Sequence, residues 1–125
     1  MYTLGVRRNF SARHYLIGGD WGDENHEHSH NYQLEIIVEK RELDRHGFLI
    51  DIVEVEHHLE EVTATFQGQT LNTLAPFAGI NPSIETLATI INDMLRKRFA
   101  SFELEALTVT IWEDDIAWTS YRVNL

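Results

Sequence analysis

The sequence predicts an α+β fold, a four-stranded antiparallel sheet with two helices on one face, in the order ββααββ. Three observations predict it. Apolar residues recur at every second position in two N-terminal stretches, at helical spacing in two central stretches, and at every second position again near the C-terminus. A period of two buries one face of a strand and a period near 3.6 buries one stripe of a helix, so the sequence of periods gives the sequence of elements. Strands that bracket a pair of helices join into a sheet that the helices cover on one side.

The first strand is expected from Tyr2 to His14, with Leu4, Val6, Phe10, Ala12 and His14 on one face and Thr3, Arg7, Asn9 and Ser11 on the other. Residues 16–27 hold Gly18, Gly19, Asp20, Gly22 and Asp23, the composition of a turn-rich loop, and also carry Trp21, Glu24 and His26. The second strand alternates cleanly, placing His28, His30, Tyr32, Leu34, Ile36 and Val38 on one face. A charged connection from Arg41 to Gly47 leads to Phe48–Ile52, which reads as a short returning strand. Asp51 suits a helix N-cap with Glu54 three residues on, and Val55, Leu59, Val62 and Phe66 form the stripe of the first helix.

After an irregular stretch over residues 66–79, Asn81-Pro82 reads as the N-cap of a second helix with proline in its first turn. Ile84, Leu87, Ala88, Ile91, Leu95 and Phe99 mark its apolar stripe, and Arg96, Lys97 and Arg98 complement the dipole at its end. Leu107, Val109, Ile111 and Glu113 then share one strand face, Asp114-Asp115 turns the chain, and Trp118, Tyr121 and Val123 lie on the last strand.

At 125 residues the chain is expected to form a single domain over its whole length, and its 43% apolar content supports a buried core. A formal charge of −10, from 20 acidic and 10 basic residues, speaks against a nucleic-acid partner, which is held through clustered Lys and Arg. The absence of cysteine excludes disulfides, thiolate metal ligands and a thiol nucleophile. Residues 1–8 lack the apolar core of a signal peptide and no apolar run approaches spanning length, so a cytoplasmic protein without a membrane partner is expected.

The chemistry-bearing stretch is His28-Ser29-His30-Asn31-Tyr32. On a strand, His28 and His30 point to the same face and present two imidazoles side by side. If the first two strands are antiparallel neighbours, the end of the first lies beside the start of the second, and His14 joins them. Three imidazoles form the usual protein ligand set of a catalytic zinc with one open position, so Zn2+ on His14, His28 and His30 is the expected cofactor. Buried histidines satisfied by carbonyls are the plainer alternative.

Glu113 continues an apolar face, which is costly for a carboxylate unless it is paired or bound. It is read as a ligand anchor or as a strand-end acid paired with an arginine. Glu24 is read as a general base beside the metal or as a solvated acid in an acidic loop, and His26 as a spare acid/base group or a surface residue. Trp21, Trp112 and Trp118 read as core or subunit contacts.

With these residues assembled, the chain resembles the family of 6-pyruvoyl-tetrahydropterin and 6-carboxy-tetrahydropterin synthases, which have the tunnelling fold. Phe10-Ser11-Ala12-Arg13-His14 looks like its first zinc segment, and His28-Ser29-His30-Asn31-Tyr32 like its His-Gly-His-Asn-Tyr. Gly47-Phe48-Leu49-Ile50-Asp51, Leu71-Asn72 and Asn81-Pro82-Ser83-Ile84-Glu85 resemble its later segments in order and spacing. The resemblance implies a zinc on the three histidines, a pterin ring anchored by Glu113, and Glu85 near the same site. It further implies a homo-oligomer, a trimer or dimer of trimers whose sheets close into a barrel with active sites shared between subunits.

The departures are specific. Glu24 stands where the family carries its catalytic cysteine, four residues before His28, and Gln67 and Gly68 stand where it carries a catalytic Asp-His pair. Some members use a glutamate near the cysteine position to form a shortened product. The resemblance therefore implies a zinc-dependent lyase-type enzyme acting on a reduced pterin such as dihydroneopterin triphosphate, with an altered proton relay. The alternative is a zinc-containing pterin- or purine-binding protein that has lost catalysis.

Overall fold

The computed structural model describes all 125 residues. Two long strands, β1 (Tyr2–His14) and β2 (His28–Lys40), precede two helices, α1 (Ile52–Phe66) and α2 (Ile84–Arg98), and two shorter strands, β3 (Ala106–Glu113) and β4 (Ala117–Asn124). The strands form one antiparallel sheet in the order β1-β2-β3-β4. This is the predicted ββααββ arrangement, with α1 lying over β1 and α2 over β3 and β4.

The core lies between the sheet and the helices. Leu34, Ile36 and Val38 of β2 and Leu107, Val109 and Ile111 of β3 meet Val55, Leu59 and Val62 of α1 and Leu87, Ile91 and Leu95 of α2, all essentially inaccessible to solvent. Each such side chain contributes roughly 1.5–3 kcal/mol on burial, enough to fix the strand register, since a one-residue slip would turn every one of them outward. Asn92 of α2 is fully buried among them. Its cost is offset because its amide nitrogen donates to the Leu107 and Tyr121 carbonyls at 3.2 and 3.1 Å and its oxygen accepts from Arg96 Nε at 2.9 Å.

Two local expectations are corrected. Residues 48–51 are not a strand. The Asp44 carboxylate accepts from the His46 and Phe48 amides at 2.8 and 3.0 Å, and Asp44 N–H donates to the Phe48 carbonyl, so the backbone is spent on its own loop. Those donors, Phe48 first, hold the Asp44 carboxyl below its ordinary pKa. Asp51 does cap α1, accepting from Val53 N–H at 2.9 Å. The cap of α2 is Ser83, whose hydroxyl accepts from Thr86 N–H at 3.1 Å, and Asn81 is engaged elsewhere. Trp118 lies opposite Trp112 in register on the open face, their rings 5.9 Å apart, whereas Tyr121 and Val123 sit opposite Val109 and Leu107 on the covered face.

Candidate metal centre

The β1–β2 register places His14 directly opposite His28 and Ala12 opposite His30. All three imidazoles therefore lie on the covered face at one end of the sheet, because strand periodicity sends positions 14, 28 and 30 the same way. Their ring centroids are 4.6, 4.8 and 4.8 Å apart, and the rings meet edge to face.

Each ring is held at Nδ1 by a different acceptor. His14 Nδ1 lies 2.9 Å from the Pro82 carbonyl, His28 Nδ1 2.7 Å from the His26 carbonyl, and His30 Nδ1 2.8 Å from Asp114 Oδ2. With these acceptors the ring proton sits on Nδ1, and the lone pair on Nε2 is free for a metal. The three Nε2 atoms are buried and have no hydrogen-bond partner. A buried polar atom without a partner is costly, and three converging on one point form a donor set that fits a metal ion.

Burial is the main influence on His14. It holds the imidazole below its ordinary pKa, assisted by any charge on His30 and His28 and opposed by the Pro82 hydrogen bond, which leaves the ring neutral as a ligand requires. The Tyr32 phenol, 3.5 Å from His14 Nδ1, is pushed up by burial and then by the carboxylates of Glu113, Asp114 and Glu24, so it stays protonated.

Glu24 joins the cluster. Its carboxylate and the three imidazoles offer ligand atoms that all lie within 4.8 Å of one another. Glu24 Oε2 is 3.1 Å from His28 Nε2 but not aligned for a hydrogen bond with it. The residue belongs to a short 3-10 turn (Gly22–Asn25), where its carbonyl accepts from Leu16 N–H at 2.8 Å.

Glu113, at the end of β3, is paired with Tyr32 in register, and its Oε1 lies 3.3 Å from His30 Nε2. No arginine pairs with it. The next residue, Asp114, takes a left-handed backbone (φ 55°), a conformation Asp tolerates better than most residues. From there its carboxylate reaches back to His30, whose hydrogen bond holds the Asp114 pKa below the ordinary carboxylate value.

Other predicted residues are placed differently. The His26 side chain is exposed, and the residue meets the site through its carbonyl. Glu85 is exposed in the first turn of α2, with no side-chain hydrogen bond or ion pair to the cluster. Gln67 Oε1 accepts from Ser11 N–H at 3.0 Å, and Gly68 N–H donates to the Ser11 carbonyl at 2.8 Å, so this pair closes the edge of β1. Gly68 has φ 71° just after α1, the left-handed position in which glycine ends helices.

A supporting set escaped the sequence reading. The extended segment after His14 is clamped by side-chain amides that imitate a neighbouring strand. Asn72 pairs with both backbone groups of Tyr15 at 3.0 and 2.9 Å, Asn81 with both of Ile17 at 3.0 and 3.3 Å, and Asn25 donates to the Leu16 and Gly19 carbonyls. The only signal for these roles was that asparagine stood in the Leu71-Asn72 and Asn81-Pro82 pairs, and local patterns assigned Asn81 to a cap.

A one-sided antiparallel sheet ending in three partnerless imidazole nitrogens and a carboxylate defines an α+β protein with a candidate metal centre. A family model described as 6-pyruvoyl tetrahydropterin synthase matches residues 3–124, and the chain belongs to that family.

No curated protein matches the sequence. Among solved structures, the chain is similar to Caenorhabditis elegans 6-pyruvoyl tetrahydropterin synthase, with TM-score 0.87 and 22% identity over 98% of this chain and 96% of that one. The Plasmodium falciparum synthase gives 0.82 and 12% over 99% and 98%. A Plasmodium vivax synthase, carrying a glutamate-to-alanine change at a residue described as catalytic, gives 0.81 and 13% over 99% and 98%. At these identities the likeness shows the fold, and it is the tunnelling fold expected from the sequence.

Proposed function

We propose that this chain is a zinc-dependent lyase-type enzyme acting on a reduced pterin such as dihydroneopterin triphosphate. The observation that carries the reading is the convergence of three buried, partnerless Nε2 atoms in a member of the 6-pyruvoyl tetrahydropterin synthase family. His14, His28 and His30 hold the ion. When bound there, zinc supplies Lewis-acid polarisation of the substrate's side-chain oxygens.

The protein's own groups do the rest. Glu113, beside the cluster and unpaired with any arginine, accepts hydrogen bonds from the N–H groups of the pterin ring and orients it. Glu24 Oε2 is the candidate general base, placed to take a proton from the substrate side chain. That the Plasmodium vivax relative is described with a catalytic glutamate supports a carboxylate in this role. His26 is a weaker acid/base candidate, since only its carbonyl meets the cluster, and Glu85, exposed in the first turn of α2, is the weaker candidate for contact with the ligand.

The chain works as a single domain and as a homo-oligomer. β1 and β4 are the two outer strands of the sheet, and where Gln67 and Gly68 do not close the β1 edge, unpaired backbone groups can pair with a strand of another copy. Trimers of these sheets closing into a barrel, alone or stacked in pairs, would complete the site between subunits. No helix is long and apolar enough to cross a membrane, and a cytoplasmic enzyme accords with this.

The test is to incubate zinc-loaded protein with dihydroneopterin triphosphate and follow triphosphate release. Turnover well above that of a His28→Ala variant is expected, and equal rates would overturn the reading.

A second reading, a pterin- or purine-binding protein without catalysis, is favoured by one observation. Gln67 and Gly68 are committed to the β1 edge and offer no acid–base pair. It predicts Glu113-dependent binding of a ligand recovered unchanged.

A further inference from the structure

We infer that Glu24 is a fourth ligand of the metal in the substrate-free protein, closing a position that the three histidines alone would leave open. The inference rests on the metal reading above and extends it to a carboxylate gate.

The distances point to it. Ligand atoms around a tetrahedral metal with bonds of about 2.0–2.1 Å stand roughly 3.3 Å from each other, and Glu24 Oε2 stands 3.1 Å from His28 Nε2. The approach is not a hydrogen bond. The Nδ1 of His28 is engaged by the His26 carbonyl, which leaves Nε2 without a proton to donate, and Nε2 has no aligned partner. A carboxylate oxygen and a lone pair facing each other at this distance repel unless a cation lies between them. Glu24 also forms one set with the three imidazole donors in which all four ligand atoms lie within 4.8 Å of one another.

The backbone under Glu24 is fixed for such a role. Its N–H donates to the Trp21 carbonyl at 3.3 Å and its carbonyl accepts from Leu16 N–H at 2.8 Å. Its neighbour Asn25 accepts from Trp21 N–H at 2.8 Å while donating to Leu16 and Gly19. Leu16 lies two residues beyond His14, so the strand that carries one histidine also carries the loop that presents the carboxylate. The side chain itself remains half exposed, with 49% of its surface accessible. It can therefore turn away from the cluster while its backbone stays in place.

That combination gives Glu24 two states. With no substrate it caps the cluster, neutralising part of the ion's charge and excluding adventitious anions. When the substrate's side-chain oxygens arrive they displace it, and a carboxylate just freed beside the substrate is placed to accept a proton. The ligand class for the position is thus an oxygen donor, internal at rest and from the substrate during turnover.

The test uses the full-length protein loaded with Co2+, whose absorption reports its ligands. Metal affinity is measured by chelator competition for the wild type, Glu24→Ala, Glu24→Gln and an Asp23→Ala control, and each cobalt form is titrated with acetate. Both Glu24 variants are expected to bind Co2+ at least about 10-fold more weakly, the loss known even for groups one step removed from a metal. Acetate is expected to change the spectrum of Glu24→Ala and not that of the wild type or Asp23→Ala. Equal affinities, or a wild-type acetate response as large as the variant's, overturn the inference while leaving the three-histidine centre standing. A wild type that takes up no cobalt overturns both.

Discussion

Asp114 Oδ2 lies 2.8 Å from His30 Nδ1, across 84 residues of sequence, and makes His30 the only histidine of the cluster held by a carboxylate and not by a backbone carbonyl. A carboxylate behind a metal-binding imidazole fixes its tautomer and raises its basicity. Asp114→Ala is therefore expected to weaken metal binding by about 10- to 100-fold, while Asp115→Ala, one residue on in the same turn, leaves it unchanged. Chelator competition followed by colour change measures both; equal losses in the two variants would assign the effect to the turn and not to the hydrogen bond.

Metal should stabilise the fold, because the three Nε2 atoms gain partners only in the folded chain. Raising free zinc to 100 times its dissociation constant is expected to add about 2.7 kcal/mol. Thermal melts with and without a chelator check this, and a His28→Ala variant should show no dependence on zinc.

The metal-free protein should lose stability toward acid. Burial holds the folded-state pKa of His14 below its ordinary 6.5, so below that pH the unfolded chain takes up a proton that the folded chain refuses. The contribution is intact above about pH 6.5 and is lost as the pH falls toward the lowered folded value. Urea midpoints of chelator-treated protein between pH 5 and 8 should drop at the acid end, and His14→Gln should flatten that slope.

The asparagine clamp carries its own prediction. Asn72→Ala removes both partners of the Tyr15 backbone groups. Leaving such a group unpaired costs about 1–3 kcal/mol when it is fully buried; the two Tyr15 groups are only partly buried, so a combined loss of about 1–3 kcal/mol is expected from urea titration. Asn72→Asp, which keeps only the acceptor, should lose less than the alanine.

In the core, Leu59 is 1% exposed between α1 and the sheet. Leu59→Ala is expected to cost about 2–5 kcal/mol and to leave metal affinity of the folded protein unchanged, which separates packing from the site.

Much of this was legible in the sequence because it depends on short-range periodicity. Alternation through residues 28–38 determined that His28 and His30 share the buried face, and the helical stripes of Val55–Phe66 and Ile84–Phe99 determined what covers them. Where two local signals competed, sequence reasoning failed. Asn81 and Ser83 are both cap-forming residues, and only the nearness of the Ile17 backbone decided that Asn81 clamps and Ser83 caps.

By itself the sequence determined the order of elements, the faces of the strands and the presence of three histidines with a common direction, since each is set by φ/ψ periodicity within a dozen residues. Only the tertiary structure decided what engages each ring. Pro82 stands 68 residues from His14 and Asp114 stands 84 from His30, and no periodicity relates positions so far apart. Those contacts exist because closing the core brings the start of α2 and the β3–β4 turn to the end of the sheet where the imidazoles converge.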